Sequence, residues 1–160
     1  MTGMRQQQRL LFGAAVVVSL GAVAAAMFTQ LALDMQPCAW CVLQRAVFVA
    51  IALAALPGLL LHFKAARQVS AVLMALLATG GMAAALWQHF VAASSTSCAM
   101  TWADRVVRGA GLDEIWPAGF SATASCSEAA TKLLGVPYEF WSLALFATLL
   151  ALAVQLLRRR

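Results

Sequence analysis

The sequence predicts an all-α membrane protein, a four-helix transmembrane bundle whose last two helices are joined by a long outer loop. Two observations lead to this fold class. Of 160 residues, 63% are hydrophobic and 11% are charged, against about half and about a quarter in soluble domains. Four apolar stretches are each close to the roughly 20 residues that a helix needs to cross a bilayer. Arg45 is the only full charge within them.

The first span is predicted at residues 10–28. A cleaved signal peptide is the alternative, because Arg5 and Arg9 precede the stretch and small residues lie near its end. The apolar region of a signal peptide is about 7 to 15 residues long, however, and this stretch is longer. We therefore expect a full span.

The other three spans are predicted at residues 42–61, 69–90 and 140–157. The outer loops are residues 29–41 and 91–139, and a tight inner connection joins the second and third spans. Short connections make consecutive helices antiparallel neighbours. The four spans are expected to form a single membrane domain over residues 1–160.

The long outer loop is expected to carry a short interfacial helix. Apolar residues repeat there at helical spacing: Ala99, Ala103, Val106, Val107 and Ala110. Trp102 would anchor this helix at the membrane surface, since tryptophan is enriched at that level. Gly109 and Gly111 predict its end.

The charges predict the orientation of the chain. Basic residues occupy the N-terminus, the inner connection and the C-terminus: Arg5, Arg9, Lys64, Arg67, Arg158, Arg159 and Arg160. All six acids lie in the outer segments: Asp34, Asp104, Asp113, Glu114, Glu128 and Glu139. By the positive-inside rule both termini are cytoplasmic. The net charge of +5 thus reflects topology, and a nucleic-acid partner has no support.

The same orientation places all four cysteines outside, which in a bacterial inner membrane means the periplasm, where disulfides persist. Cys38 and Cys41 form a C-x-x-C before the second span, and Cys98 and Cys126 lie in the long periplasmic loop. Such a motif suits redox chemistry or half of a zinc site. The loop pair lacks zinc-knuckle spacing and an outside location favours oxidation, so no metal is expected. Purely structural disulfides remain an alternative, and all three pairings remain open.

Arg45 and His89 are the candidate cofactor-binding side chains beside the C-x-x-C. Arg45 follows Cys41 by four residues, so the two share a helix face if the helix has begun there. A thiolate at Cys41 would then be stabilised by the guanidinium and by the helix dipole. A snorkelling arginine is the alternative. His89, in the last turn of the third span, could donate a hydrogen bond or a proton to a bound electron acceptor.

Taken together, these features resemble the disulfide bond formation protein B (DsbB) family. The shared pattern comprises four spans, a C-x-x-C followed by Arg45, a second cysteine pair in the long loop, and a leucine-glycine element before the last span. That element is Leu134-Gly135-Val136-Pro137, followed by Trp141. The resemblance covers almost the whole chain.

The resemblance implies a quinone-dependent thiol oxidase. Its partner would be a periplasmic, thioredoxin-like disulfide donor of the DsbA type, and its electrons would pass to the membrane quinone pool, ubiquinone or menaquinone. Cys98 and Cys126 would form the disulfide that accepts electrons, with Cys98 taking the mixed disulfide. Cys38 would then attack at Cys126, and Cys41 would be freed as a thiolate facing a quinone ring, stabilised by Arg45.

The family also has a histidine near the quinone, to which His89 would correspond. The chain departs from the pattern in two places: Gln44 stands where the best-known members have an acid, and Tyr138-Glu139-Phe140 lengthens the approach to Trp141. Two other functions stay open. One is a thiol-dependent quinone reductase of the vitamin K epoxide reductase type, which usually carries its essential C-x-x-C later in the chain. The other is a non-enzymatic membrane scaffold braced by disulfides.

Overall fold

Four long helices form the body of the protein. The computed structural model describes residues 2–61, 63–94 and 101–158, with side chains from residue 5 onwards. The long helices are α1 (Thr2–Ala32), α2 (Ala39–Leu60), α3 (Lys64–Phe90) and α7 (Tyr138–Arg158). Each is long and apolar enough to cross a membrane. The predicted four-helix membrane bundle is therefore confirmed.

The helices pack in a ring. Helix α2 packs against α1 and α3, and α7 closes the bundle against α3 and α1. At the centre, Phe48 of α2 stacks on Phe146 of α7 with ring centroids 4.1 Å apart. Ile51, Met74 and Leu149 are fully buried in the same cluster. Large apolar side chains on the opposite helix faces are exposed, as expected for surfaces that meet lipid.

Two glycines permit close contacts between helices. A Cβ atom on Gly58 of α2 would collide with the ring of Phe12 of α1, and one on Gly81 of α3 would collide with Phe146. Small residues at such crossings let membrane helices approach and pack. The central aromatic stack therefore depends on the missing side chain of Gly81.

The helices extend beyond the apolar stretches that predict them. Helix α2 begins at Ala39 because the Cys38 side chain caps it, and α7 begins at Tyr138. Caps and turns continue the backbone hydrogen bonding past the point where hydropathy falls. Pro57 lies in the last turn of α2, where the helix ends at Leu60.

Short elements fill the segment between α3 and α7. A 3-10 turn at Ala92–Ser94 follows α3. After residues 95–100 come α4 (Trp102–Gly109), α5 (Leu112–Ile115), α6 (Pro117–Phe120) and a hairpin of β1 (Lys132–Leu133) with β2 (Val136–Pro137). Helix α4 is capped by a reciprocal pair, in which Thr101 and Asp104 bond each other's backbone N–H groups. A helix thus lies where the spacing predicts one, and its location at a membrane surface stays a prediction.

The leucine-glycine element is the turn of the hairpin. Leu134 and Gly135 have φ angles of 54° and 82°, as a two-residue type I′ turn requires. The indole N–H of Trp141 donates to the carbonyl oxygen of Leu133 at 3.3 Å. The hairpin is thereby joined to the first turn of α7.

Helices α4 and α6 cover the start of α2. Ala103 and Val107 of α4 and Phe120 of α6 form a buried cluster with Val42 and Leu43. The outer segment therefore packs directly on the helix that carries the C-x-x-C.

Candidate functional site

The C-x-x-C forms the N-terminus of α2. Cys38 is the N-cap, and its sulfur accepts a hydrogen bond from the backbone N–H of Cys41 at 3.4 Å. The two Sγ atoms are 3.1 Å apart. Cys38 is fully buried, whereas Cys41 is partly accessible. Because the helix has begun at Ala39, Cys41 and Arg45 lie one turn apart in it.

The loop that carries Cys126 is bonded to the residue before the motif. The backbone N–H groups of Thr123 and Ala124 both donate to the carbonyl oxygen of Pro37, at 3.0 and 3.3 Å. This contact brings the Cys126 thiol into hydrogen-bonding contact with Cys38 and with the backbone N–H of Trp40. In space, the sulfur atoms of Cys126, Cys38 and Cys41 therefore follow one another in a row. Cys98, the fourth predicted site cysteine, lies outside the described residues.

The thiols of Cys126 and Cys38 differ in acidity. Hydrogen bonds from the Cys38 thiol and the Trp40 N–H lower the pKa of Cys126 against the opposing effect of its burial. The pKa of Cys38 is raised by its hydrogen bonds to Cys126 and Cys41 and by burial. The thiolate is the nucleophile in exchange, and the lowered pKa of Cys126 favours its thiolate. The expectation that Cys38 attacks at Cys126 stays a prediction.

Trp40, inside the motif, connects three helices. Its ring lies 6.3 Å from Trp87 of α3 and 6.2 Å from Trp102 of α4, measured between centroids. Aromatic pairs at these separations contribute about 0.5–1.5 kcal/mol beyond burial. The C-x-x-C is thus packed between the bundle and the outer segment.

An amide from α3 bonds the sulfur of Cys41. Nε2 of Gln88 donates to Sγ at 3.2 Å. Nε2 of Gln44 in turn donates to Oε1 of Gln88 at 2.7 Å. Both glutamines are buried. Because Gln44 occupies the oxygen of Gln88, it leaves the nitrogen of that amide directed at the thiol.

Arg45 is buried and is bonded mainly to α1 and α6. Its guanidinium donates to Oε1 of Gln30 at 2.6 Å, and to the carbonyl oxygens of Ala26 and Gly119, both at 3.2 Å. It also approaches Sδ of Met27 at 3.6 Å. The side chain therefore joins three helices as well as placing a positive charge near Cys41.

A cavity of about 180 Å³ opens beside Cys41 between α1, α2, α3 and α7. Its wall is largely apolar, with alanines of α1, Phe48 and Leu145 among the lining side chains. Its lining also includes polar side chains, among them Cys41, Gln44, Arg45, Gln88, Tyr138 and Glu139. An apolar cavity with a few convergent polar groups is the usual form of a small-molecule site.

His89 is connected to this cavity through the side chain of Glu139. Its Nδ1 lies 2.7 Å from Oε1 of Glu139, and its ring packs on Phe140 with centroids 4.7 Å apart. The histidine side chain is 30% exposed, whereas that of Glu139 is 4% exposed. Glu139, in the first turn of α7, forms the cavity wall.

Sequence reasoning did not identify Gln88 and Glu139 as site residues, and it noted Gln44 only as a departure from the family pattern. A usable signal was present, since Gln44 and Gln88 are amides within apolar spans, next to Arg45 and His89. Polar side chains at such positions are costly in a membrane and mark functional sites. Glu139 gave less indication, because it precedes the last apolar stretch and falls in the loop when the sequence is divided by hydropathy.

The protein combines a four-helix membrane bundle with a row of cysteine thiols at one end. This fold and this site together define the class of membrane-embedded protein-disulfide oxidoreductases. The family described as Disulfide bond formation protein DsbB matches residues 8–156. The chain therefore belongs to the DsbB family, as the sequence motifs predict.

Similar proteins from several bacteria agree with this assignment. The chain is 33% identical to Disulfide bond formation protein B of Dechloromonas aromatica over 147 residues, covering 88% of this chain and 87% of the relative. It is 31% identical to Disulfide bond formation protein B 1 of Pseudomonas savastanoi pv. phaseolicola over 133 residues, covering 81% and 78%. With the corresponding protein of Pseudomonas putida it shares 31% identity over 156 residues, covering 90% and 88%. The enzymatic prediction is confirmed, and a purely structural scaffold is disfavoured.

Proposed function

We propose that this protein is a quinone-dependent thiol oxidase that reoxidises a periplasmic thioredoxin-like partner of the DsbA type. The observation that carries the proposal is the sulfur sequence Cys126, Cys38 and Cys41, which ends at an apolar cavity. We place the protein in the bacterial inner membrane with both termini cytoplasmic and the cysteines periplasmic, which the distribution of charges supports.

The cavity suits the head group of a quinone. Its volume of about 180 Å³ exceeds the roughly 150 Å³ of an engineered cavity that binds benzene. A quinone ring is flat and apolar and carries two acceptor oxygens, and the cavity has an apolar wall with Gln88, Arg45 and Tyr138 among its polar lining residues. When bound, quinone supplies a two-electron acceptor within the membrane.

The exchange begins outside the described residues, at Cys98. We propose that a thiolate of the partner attacks Cys98 in a Cys98–Cys126 disulfide, so that a mixed disulfide forms and Cys126 leaves as a thiolate. Cys126 then attacks Cys38 in a Cys38–Cys41 disulfide, and Cys41 leaves as a thiolate at the cavity. Each step breaks one S–S bond and forms one. Freeing Cys41 requires Cys38 to be the sulfur attacked, and the lowered pKa of Cys126 supports its role as the attacking thiolate.

The cycle closes with two further exchanges. The second thiol of the partner releases Cys98, which attacks Cys126 and frees Cys38. The Cys38–Cys41 dithiol then transfers two electrons to quinone, which also takes up two protons, and the dithiol returns to the disulfide. The sum is partner dithiol plus quinone to partner disulfide plus quinol.

Gln88 and Arg45 assist the leaving thiolate of Cys41. Gln88 donates a hydrogen bond to the sulfur, and charge is stabilised most by donors already in position. Arg45 contributes its positive charge. Its side chain is held in place by hydrogen bonds to Gln30 and to two backbone carbonyl groups. The N-terminus of α2 adds its dipole in the same direction.

The test is reconstitution. Purified protein in detergent or nanodiscs is mixed with a reduced thioredoxin-fold dithiol protein and a short-chain ubiquinone or menaquinone, and quinol is followed by absorbance. We expect stoichiometric quinol and partner disulfide. Cys41→Ala should form no quinol and should oxidise no more partner than its own Cys98–Cys126 disulfide can. A Cys98→Ala variant should retain quinone binding but accept no electrons from the partner. If the dithiol is never oxidised in the presence of either quinone, the proposal is wrong.

A further inference from the structure

The side chain of Glu139 takes no part in the disulfide exchange proposed above. It is 4% exposed, and one carboxyl oxygen, Oε1, contacts His89 at 2.7 Å. The other oxygen, Oε2, is buried and has no hydrogen-bond partner among the described residues. A buried carboxyl oxygen without a partner is unfavourable for stability, so its presence in a folded protein needs an explanation.

The position of Glu139 indicates what that explanation is. The residue lines the same cavity as Cys41 and Gln88. Glu139 contacts His89, whose side chain is 30% exposed, so the two residues together reach from this cavity to the solvent. A titratable pair therefore connects the solvent at the outer end of the bundle with the cavity interior.

Reduction of a quinone requires protons as well as electrons. Two electrons and two protons convert the two carbonyl oxygens into hydroxyls. The electrons come from Cys38 and Cys41, whereas a proton must reach an oxygen inside an apolar cavity. A carboxyl group in contact with an imidazole is a common means of proton transfer in enzymes.

We propose that Glu139 donates a proton to the quinone oxygen and that His89 reprotonates it from the outer solvent. The inference rests on the proposed function. In each turnover the O–H bond of Glu139 breaks as an O–H bond forms on the acceptor, leaving a carboxylate. His89 then returns one proton to that carboxylate and takes one from water. Oxidation of the partner dithiol releases two protons, and quinone takes up two, one of them through Glu139, so the whole cycle balances.

The side chains facing this pair are suited to such a transfer. Phe140 packs against the imidazole and limits its contact with water. Tyr138 lies beside Glu139 in the chain and bonds Thr29 of α1 through its hydroxyl at 3.1 Å. Arg45 is the other charged side chain in the cavity lining, and its N–H groups are already directed at α1 and α6. Glu139 is consequently the acid that can reach a ligand in the cavity.

The first experiment compares Glu139→Gln with the matched variant Glu114→Gln, which alters an exposed acid of α5. Glutamine keeps the size of Glu139 and its contact with His89 but cannot supply the proton. We expect kcat for quinol formation to fall about 10²-fold, within the usual range for loss of a general acid. Glu114→Gln should match the wild-type protein.

Two readouts separate proton donation from a structural role. Quinone affinity, followed by quenching of tryptophan fluorescence, should be unchanged in Glu139→Gln. The rate at which a reduced partner converts the protein disulfides to thiols without quinone, followed by alkylation and mass spectrometry, should be unchanged as well. Glu139→Asp should recover part of kcat. Formate should accelerate Glu139→Ala, because a small acid can enter the vacated space.

The outcomes distinguish the two proposals. If the wild-type protein exchanges disulfides but yields no quinol, the proposed function fails. If the wild-type protein is active and Glu139→Gln retains its kcat, the role of Glu139 is refuted. A loss of kcat that is matched by weaker quinone binding, with no recovery by aspartate or formate, also refutes it. Should Glu139→Gln fail to fold, His89→Gln with rescue by imidazole tests the same route, and a His89→Gln variant with wild-type kcat contradicts it.

Discussion

The amide of Gln88 donates a hydrogen bond to the sulfur of Cys41 at 3.2 Å, across the interface between α3 and α2. This relationship gives the first prediction. Gln88→Leu should reduce the rate at which iodoacetamide labels Cys41 about tenfold, because a hydrogen bond to a charged group contributes about 1.5–3 kcal/mol. The measurement uses a variant in which Cys41 is the sole cysteine. Gln155→Leu, on an exposed position of α7, is the matched control.

Gln44 acts through Gln88. In Gln44→Glu a carboxylate replaces the donor amide, so the NH₂ group of Gln88 should turn towards residue 44 and present its oxygen to Cys41. We expect labelling of Cys41 to slow by about as much as in Gln88→Leu. The double variant should be no slower than either single one, since interacting residues are non-additive. Additive effects in this double-mutant cycle would show that Gln44 acts on Cys41 independently of Gln88.

Arg45 has a structural as well as an electrostatic role. Arg45→Lys retains the charge but loses most of the hydrogen bonds to Ala26, Gly119 and Gln30. We expect a lower free energy of unfolding by about 1–3 kcal/mol, the usual effect of leaving buried polar groups unpaired. Thermal unfolding with parallel measurement of the quinone KM checks this. Arg105→Lys, at an exposed position of α4, should change neither quantity, and an equally stable Arg45→Lys would contradict the structural role.

The acidity of Cys126 depends on Cys38. In reduced Cys98→Ala protein, Cys126 should be alkylated at lower pH than an ordinary thiol of pKa about 8.5, because its lowered pKa populates the thiolate earlier. Cys38, whose pKa is raised, should require higher pH. Adding Cys38→Ala removes the thiol donor, so the Cys126 curve should move to higher pH. Ser94→Ala is the control, and a Cys126 curve that stays in place without Cys38 would contradict the assigned cause.

Two adjacent glycines provide a direct test of the packing. Gly81→Ala would place a Cβ against Phe146, whereas a Cβ on Gly80 meets no atom of the described structure within 4 Å. Overpacking costs about 1–3 kcal/mol, and Gly→Ala in a helix otherwise stabilises by about 0.5–1 kcal/mol. Gly81→Ala should therefore lower the denaturant concentration at half-unfolding. Gly80→Ala should not lower it. Equal stabilities would show that the stack of Phe48 on Phe146 tolerates a closer α3.

Much of the bundle could be predicted from the sequence, because a bilayer imposes one requirement on length and polarity. The stretch at 69–90, for example, can satisfy its backbone groups in lipid only as a helix. Helix ends were less predictable. Cys38 begins α2 through a cap, and Leu134 and Gly135 form a turn through their φ angles, neither of which a hydropathy profile detects.

The sequence by itself determined the fold class, the family and the identity of the candidate cysteines, because apolar length and a C-x-x-C are local features of the chain. Only the tertiary structure decided which groups face Cys41. Gln88 is 47 residues away in the chain, and Glu139 meets His89 across 50 residues. Such pairs depend on how α2, α3 and α7 pack, and packing is set by shape at contacts such as Gly81 with Phe146 rather than by any pattern along the chain.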